Sequence, residues 1–467
     1  MENIAIVGAS GFVGTHLIKR LSTGSHKIYA LGRSKPKFQG DQIEWRSTDL
    51  FSMQSTLKSL AGVDVAIYLV HSMMPSSVLF QGNFHDTDLL LADNFARACR
   101  SNGVKRIIYL SGLMPVGYVS PHLKSRCEVE GVLRSTGIPT TVLRAGMIVG
   151  PGGSSYEILR FLVQRLPFMV LPNWTQRSTQ AVFIDDVVSV LLAAISSDSF
   201  TGKTLDVVNG ESLTYETLLR KMAKVLKVRR RMLAVPINST GFSKLWVQIF
   251  GNSTYELVSP LIDSLLCDLP RVHTPEELMP YIQYQNFEMM VEETFKRGFP
   301  ASYQRPKRRI TFENSVRSVQ RLPATPAHDC HWIAQQYMRF LPSFIPYLIR
   351  VKVLDEQDRV EFYLSLYWKP LLILKYIKGD FDDERKKFFI IGGFLTKTID
   401  TGWLEFRQVD HRKYTLAGIH EFIPALPWML YLVTQAFLHK IAMASFGRYL
   451  EKVNHLETEN VFEDHKK

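Results

Sequence analysis

The sequence predicts an α/β protein, with a doubly wound parallel sheet in its first two thirds and a separate α+β domain behind it. Three observations predict this. Apolar strands alternate with helices over the first 150 residues, a glycine-rich turn joins the first strand to the first helix, and the pattern changes after residue 325. A chain of 467 residues is long enough for two or three domains.

The elements of the first 150 residues follow from hydrophobic periodicity. Near-continuous apolar runs are typical of parallel strands that are covered by helices on both faces. The predicted strands are Asn3–Val7, Lys27–Leu31, Ile43–Arg46, Val63–Val70, Arg106–Leu110 and Pro139–Leu143. The predicted helices are Phe12–Leu21, Asn83–Ser101 and Glu128–Ser135.

From residue 151 to 298 the alternation continues more loosely, and we interpret this stretch as a small substrate lobe of the same domain. Asp185 is expected to be the N-cap of a following helix. The predicted elements are the strands Gln180–Phe183 and Thr204–Val208 and the helices Val187–Ile195, Tyr215–Leu226 and Asn286–Gly298. The Pro- and Arg-rich stretch 299–325 is predicted to be a linker between domains 1–298 and 326–467.

Residues 326–467 predict a helix, several antiparallel strands and a long terminal helix. The elements are the helices His331–Phe340 and Trp428–Val453 and the strands Arg359–Trp368, Phe388–Thr396, Trp403–Val409 and Lys413–Phe422. This order resembles a START-like helix-grip domain, which implies an apolar cavity for a small hydrophobic molecule. The alternative is that the aromatic side chains of this region form an ordinary core.

Composition excludes several classes of protein. With 46% hydrophobic and 21% charged residues the chain is globular rather than disordered. Its four cysteines form no C-x-x-C pair, so we predict neither a disulfide framework nor a metal site. The first residues lack a basic region followed by an apolar one, so no cleaved secretory signal is expected. We therefore predict a cytoplasmic location.

The net charge of +12 raises the question of a polyanionic partner. The basic runs at 220–231 and 305–309 are interpreted as a solvated helix face and a linker, and no nucleic-acid-binding motif accompanies them. Phe422–His439 lacks Asp, Glu, Lys and Arg but contains two prolines, which favours a buried helix. Peripheral membrane contact is the alternative. Oligomeric state is not predicted.

The turn Val7-Gly8-Ala9-Ser10-Gly11-Phe12-Val13-Gly14 predicts a dinucleotide site. Gly8 permits the tight turn, Gly11 lets the backbone approach a pyrophosphate, and Gly14 allows close packing of helix on sheet. The helix N-terminus supplies N–H groups for the anion. The second strand ends in Gly32 and Arg33, where an acidic residue would bind the ribose of NAD. A cation here pairs with a 2′-phosphate, so NADP is favoured over NAD.

These motifs are similar to those of an atypical extended short-chain dehydrogenase/reductase of the NmrA-like kind. Further matching stretches are Asp49-Leu50, Tyr68–Ser72, Tyr109–Gly112, Leu143–Gly146 and Gly150-Pro151. The resemblance covers residues 1–298 and implies a Rossmann fold with an NADP(H) molecule over the carboxyl ends of the strands. It implies these cofactor contacts: Gly8, Ser10, Gly11, Phe12, Gly14, Arg33, Ser34, Asp49, Leu50, Val70 and His71.

The sequence departs from this family at the catalytic positions. Where active members carry Tyr-x-x-x-Lys, this chain has His122 and Arg126. Tyr118 lies four residues earlier, and Ser111 is an imperfect substitute for the family's hydroxyl residue. His122 titrates near neutral pH in its ordinary state, so its imidazolium is a candidate proton donor, with activity expected to require low pH. Equally, His122 is a polar helix-start residue in a protein that only binds the cofactor.

Three functions are therefore compatible with the sequence. The first is an NADP(H)-dependent oxidoreductase acting on a hydrophobic carbonyl or quinone-like compound. The second is a non-catalytic NADP(H)-binding redox sensor or assembly factor whose C-terminal domain binds a lipid or other hydrophobic ligand. The third is a lipid-binding protein of the membrane surface.

Overall fold

The structure is a computed structural model that describes residues 2–33, 40–71, 79–236, 263–269, 271–298, 315–324, 326–378, 384–397 and 401–464. The chain divides into two compact units. The first unit comprises residues 1–74 and 91–308, and the second comprises residues 75–90 and 309–467.

The first unit contains the strands of the parallel sheet and of two small sheets. The strands of the first unit are β1 Asn3–Val7, β2 Lys27–Gly32, β3 Ile43–Ser47, β4 Val65–Tyr68, β6 Arg106–Gly112, β7 Thr140–Ala145, β8 Met147–Val149, β9 Phe168–Leu171, β10 Ser178–Phe183, β11 Thr204–Val207, β12 Ser212–Thr214 and β13 Arg231–Ala234. The strands of the second unit are β5 Leu79–Gln81, β14 Val316–Leu322, β15 Ile349–Leu354, β16 Arg359–Leu364, β17 Pro370–Tyr376, β18 Arg385–Gly392, β19 Trp403–Val409 and β20 Tyr414–Phe422. The helices are α1 Phe12–Leu21, α2 Met53–Ser59, α3 Phe84–Ser101, α4 Pro121–Ser135, α5 Ser154–Arg165, α6 Ile184–Ser196, α7 Tyr215–Val225, α8 Phe287–Arg297, α9 Cys330–Phe344, α10 Trp428–Val433 and α11 Gln435–Asp464.

The main sheet of the first unit has seven parallel strands in the order β11-β7-β6-β4-β1-β2-β3. The predicted fold class is confirmed: this is a Rossmann-like parallel sheet with helices, and a separate antiparallel sheet follows in the C-terminal region. The strand order reverses next to β1, because β2 and β4 both pair with it. Ligands of open α/β sheets bind at the carboxyl ends of strands at such a point.

Three helices of the first unit show the differences from the predictions that matter most here, α2, α4 and α6. Helix α2, capped by Ser52, was not predicted. Helix α4 begins at Pro121 because the Ser120 hydroxyl accepts a hydrogen bond from the Leu123 N–H. The prediction that Asp185 caps α6 is wrong, since the N-cap is Phe183. The Asp185 carboxylate instead pairs with the Arg297 guanidinium at 2.7 and 2.9 Å.

The second unit is built on an eight-stranded sheet in the order β15-β16-β17-β18-β19-β20-β14-β5. Its pairs are antiparallel except for the parallel pair of β5 and β14. Helices α9 and α11 contribute to its apolar core, where Phe340 and Phe446 pack with Phe406 of β19. The START-like resemblance of this unit stays a prediction.

The second unit also shows where the predicted elements need correction. Residues 316–322 of the predicted linker 299–325 form strand β14, whose backbone pairs with β20 and β5. Residues 299–314 of that linker lie outside the described residues. The terminal helix is interrupted at Thr434, whose backbone at φ −115° and ψ −85° separates α10 from α11. Strands β15 and β17 were not predicted.

No helix within the described ranges combines the length and the apolar character that crossing a bilayer requires.

Candidate functional site

The glycine-rich turn between β1 and α1 has the geometry that a pyrophosphate site requires. Gly8 has a φ of +91°, and a Cβ there would lie 3.2 Å from the backbone of Leu69. A Cβ on Gly14 would lie 2.4 Å from the Gly8 carbonyl oxygen, closer than any real contact. Larger residues are therefore excluded at both positions. The residues present form a cradle that fits the phosphates of a dinucleotide.

The N-terminus of α1 lies at this turn. Its N-cap is Gly11, which has no side chain to bond to the first N–H groups of the helix. Such groups have no acceptor inside the helix and attract an anion. Ser10 and Gly11 are exposed, so the turn is open to a ligand. The Phe12 ring packs edge-on against His16 with the ring centroids 5.4 Å apart.

The ends of β2 and β3 supply the residues expected near the adenosine half of the cofactor. Arg33 is exposed directly after β2. The Asp49 carboxylate accepts a hydrogen bond from the Phe51 N–H at 3.2 Å, and the carbonyl of the buried Leu50 accepts one from Asn94. Ser34 lies outside the described residues.

The residues that follow β4 are influenced electrostatically by side chains of α4. Val70 and His71 are half-buried beyond the last residue of β4. The pKa of His71 lies well below its usual range, first through burial and then through the charges of Arg126 and His122. His71 therefore lies within electrostatic range of His122 and Arg126. His71 Nδ1 is buried and has no hydrogen-bond partner among the described residues.

His122 and Arg126 lie one turn apart on α4. The guanidinium of Arg126 donates to the hydroxyl of the buried Tyr109 at 3.4 Å. Burial, and then the positive charge of Arg126, lower the pKa of His122 to about 3. The imidazole is therefore neutral at physiological pH. The expectation that an imidazolium at His122 donates the proton at mildly acid pH is wrong for this structure.

The two substitute hydroxyl residues do not join this group. Tyr118 is 60% exposed in the turn before α4. Ser111 donates a 2.8 Å hydrogen bond to Glu130, and Arg144 binds the same carboxylate through Nε at 3.0 Å and Nη2 at 2.6 Å. Sequence reasoning missed this network. Its signal was an acidic residue on the apolar face of α4, since Glu130 lies between Val129 and Val132.

Comparison with known proteins agrees with the fold and the glycine-rich turn. Residues 4–208 match the model of the NAD dependent epimerase/dehydratase family. The match supports an extended short-chain dehydrogenase/reductase with an NAD(P)-binding Rossmann fold for this part of the chain.

Similar curated proteins include reductases. Ceramide reductase of Caulobacter vibrioides is 26% identical over 237 residues, which is 50% of this chain and 73% of that protein. The 2-alkyl-3-oxoalkanoate reductase of Stenotrophomonas maltophilia is 23% identical over 248 residues, 47% of this chain and 74% of that protein. The auxiliary protein GraX of Staphylococcus aureus is 25% identical over 111 residues, which cover 23% of this chain and only 36% of that protein. Two of these three relatives are thus named as reductases.

A solved structure shows the same fold. The triphenylmethane reductase of Citrobacter sp. has a TM-score of 0.50 and 20% identity, covering 63% of this chain and 99% of that protein.

Proposed function

We propose that the protein is an NADP(H)-dependent reductase of a hydrophobic carbonyl or quinone-like compound, within the atypical, NmrA-like part of the extended short-chain dehydrogenases/reductases. The observation that carries the proposal is the joint position of His71, His122 and Arg126. They lie beyond the carboxyl end of β4 and at the start of α4, where the resemblance expects the nicotinamide and the substrate.

The choice of NADP rests on Arg33. Its guanidinium is exposed directly after β2, the strand that neighbours β1 and its glycine-rich turn. A guanidinium forms charge-assisted hydrogen bonds with phosphate and has no acceptor for a ribose hydroxyl proton. The residues for the rest of the cofactor are Gly8, Ser10, Gly11, Phe12, Gly14, Ser34, Asp49, Leu50, Val70 and His71.

The substrate class is supported by the relatives. A 2-alkyl-3-oxoalkanoate is by its name a carbonyl compound with alkyl chains, and the other reductase is named for ceramide. The sugar-nucleotide epimerases that also match indicate that the fold alone does not decide the substrate.

The side chains of the site fit carbonyl reduction without a tyrosine. NADPH, when bound, supplies the hydride that is added to the carbonyl carbon. A neutral His122 donates an N–H hydrogen bond to the carbonyl oxygen, and the Arg126 charge stabilises the negative charge that develops there. The proton that completes the alcohol comes from water through the His122 imidazole. Tyr109 holds the Arg126 guanidinium in position.

The experiment is a turnover assay with NADPH against long-chain ketones, aldehydes and quinones. His122→Ala should lower the rate by about 10²–10³-fold while NADPH binding is retained. Because the pKa of His122 is about 3, the rate should not vary with a histidine titration between pH 5 and pH 8. Tyr118→Phe is the matched control and should keep the full rate, since Tyr118 is exposed. Full turnover of the His122→Ala variant would contradict the assignment.

A second function is favoured by the substitutions at positions 122 and 126. In active family members the lysine lowers the pKa of the catalytic tyrosine. Position 122 holds a histidine instead of that tyrosine, so Arg126 has no tyrosine pKa to lower. A redox sensor or assembly factor that binds NADP(H) without turnover needs only the cofactor cradle, and GraX is named an auxiliary protein. Tight NADPH binding without turnover on any member of the panel would replace the reductase by this function.

A further inference from the structure

Four loop side chains of the second unit are exposed although they are large and apolar or aromatic. Tyr347 is 95% exposed, Leu366 99%, Trp368 78% and Phe394 58%. Tyr347 lies between α9 and β15, and Phe394 follows β18. Leu366 and Trp368 lie between β16 and β17. Single exposed apolar residues are common on protein surfaces, but a group of them marks an interaction site.

Backbone hydrogen bonds join these connections at one end of the sheet. The Ser365 N–H donates to the Leu348 carbonyl at 2.8 Å, and the Phe394 N–H donates to the Pro370 carbonyl at 3.0 Å. The Ala425 N–H in turn donates to the Leu395 carbonyl at 2.9 Å. Residue 425 lies just before α10. The loop side chains and the start of the terminal helices therefore belong to one edge of the unit.

The outer face of α10 and the first turns of α11 continues this apolar surface. Its exposed large apolar side chains are Leu430 and Val433, which are three residues apart on α10, and Phe437, Leu438 and Ile441, of which Ile441 lies four and three residues after the other two on α11. The opposite face is apolar as well, since Ala436, Met443 and Phe446 are buried in the core. Between residues 445 and 455 the exposed positions are Arg448, Glu451, Lys452 and His455. The apolar outer face is thus confined to the part of α11 nearest the loops.

The chain segments that form this surface carry charges of one sign. The segments 345–350, 364–370, 393–397 and 423–450 contain no Asp or Glu. Their basic residues are Arg350, Lys369, Lys397, Lys440 and Arg448. The Lys369 ammonium lies 4.8 Å from the centre of the Trp368 ring. Pairing with a second copy of the same surface would bring these like charges together, whereas anionic lipid headgroups would complement them.

We propose that this edge of the second unit, formed by Tyr347, Leu366, Trp368, Phe394 and the outer face of residues 430–441, docks on an anionic lipid bilayer. The aromatic and aliphatic side chains enter the interfacial layer, where Trp and Tyr are favoured. The lysine and arginine side chains lie at the headgroups. This is attachment to one face of the membrane, as expected of an amphipathic surface helix with flanking apolar loops.

The test is co-sedimentation of the full-length protein with vesicles of phosphatidylcholine, alone or mixed with phosphatidylglycerol. The protein should bind the mixed vesicles more tightly, and added salt should weaken that binding because it screens the charges. The variants Leu366→Ser/Trp368→Ser and Val433→Ser/Phe437→Ser should each lower the partition coefficient at least about tenfold. Val116→Ser/Tyr284→Ser is the matched control, because these side chains are 75% and 74% exposed in the first unit.

A charge variant, Lys369→Glu/Lys397→Glu, keeps the test decisive if a serine variant misfolds, since both side chains are exposed. It should lose the preference for phosphatidylglycerol. Absence of binding to both kinds of vesicle, or binding by the serine variants equal to that of the control, would overturn the proposal. So would a change in oligomeric state caused by the serine substitutions without any effect on vesicles. The assay needs neither cofactor nor turnover, so its outcome is independent of the proposed reductase activity.

Discussion

Arg33 is the residue on which the choice between NADP and NAD depends. Replacing it with alanine removes a charge-assisted contact to the 2′-phosphate, which contributes about 1.5–3 kcal/mol. Arg33→Ala should therefore weaken NADPH binding by about tenfold or more and leave NADH binding unchanged. Isothermal titration with both cofactors measures the two affinities. Arg20→Ala is a matched control, since Arg20 is an exposed cation in the last turn of α1. Equal NADPH and NADH affinities in the unmodified protein would contradict the assignment.

The electrostatic state of the candidate site residues was not predictable from the sequence. The resemblance to short-chain dehydrogenases/reductases assigned His122 and Arg126 to the catalytic positions and His71 to the cofactor site, and this assignment stays a prediction. The low pKa of His122 was not predictable, because its main cause is burial by the folded chain. Glu130 was missed for the same reason: its partner Arg144 is adjacent only across the turn from α4 to β7.

Among secondary-structure elements, the junction between β7 and β8 leaves no room for a side chain. A Cβ on Gly146 would lie 2.0 Å from the Gln180 carbonyl oxygen of β10. Gly146→Ala must therefore move β8 or β10, and such overpacking costs about 1–3 kcal/mol. Urea unfolding should show a lower free energy of unfolding for Gly146→Ala. Gly40→Ala is the control, because a Cβ there would lie 3.5 Å from the nearest side-chain atom. Unchanged stability of the Gly146→Ala variant would show that these strands separate more easily than their packing indicates.

The elements that were predicted well are those whose signal is local. β1 and α1 have the predicted bounds because an apolar run, a glycine-rich turn and a helical period follow one another directly. β14 was missed because its neighbours in sequence are rich in Pro and Arg, while its partners, β20 and β5, are distant in the chain. The break at Thr434 had no local marker, since neither Gly nor Pro occurs between residues 428 and 446.

Local sequence patterns also do not predict which of the two units a segment of the chain belongs to. Residues 75–90 belong to the second unit although most of the chain around them forms the first. They provide β5, which pairs with β14, and Asp86, whose buried carboxylate accepts a hydrogen bond from Arg321 at 2.9 Å. A division of the chain at the predicted linker therefore separates the second unit from one of its own strands.

This arrangement predicts how fragments of the protein behave. A fragment of residues 309–467 lacks β5, so the edge of β14 is left without its partner strand. It also lacks Asp86, so Arg321 loses a buried carboxylate partner. Exposed strand edges promote aggregation, and the loss of Asp86 removes a charge-assisted hydrogen bond from Arg321. The fragment should therefore unfold at a lower temperature than the second unit in the full chain, or aggregate, as measured by calorimetry and light scattering. Adding residues 75–90 ahead of residue 309 through a flexible linker should restore part of the lost stability. A fragment 309–467 that unfolds at the temperature of the intact second unit would show that β5 and Asp86 contribute nothing to its stability.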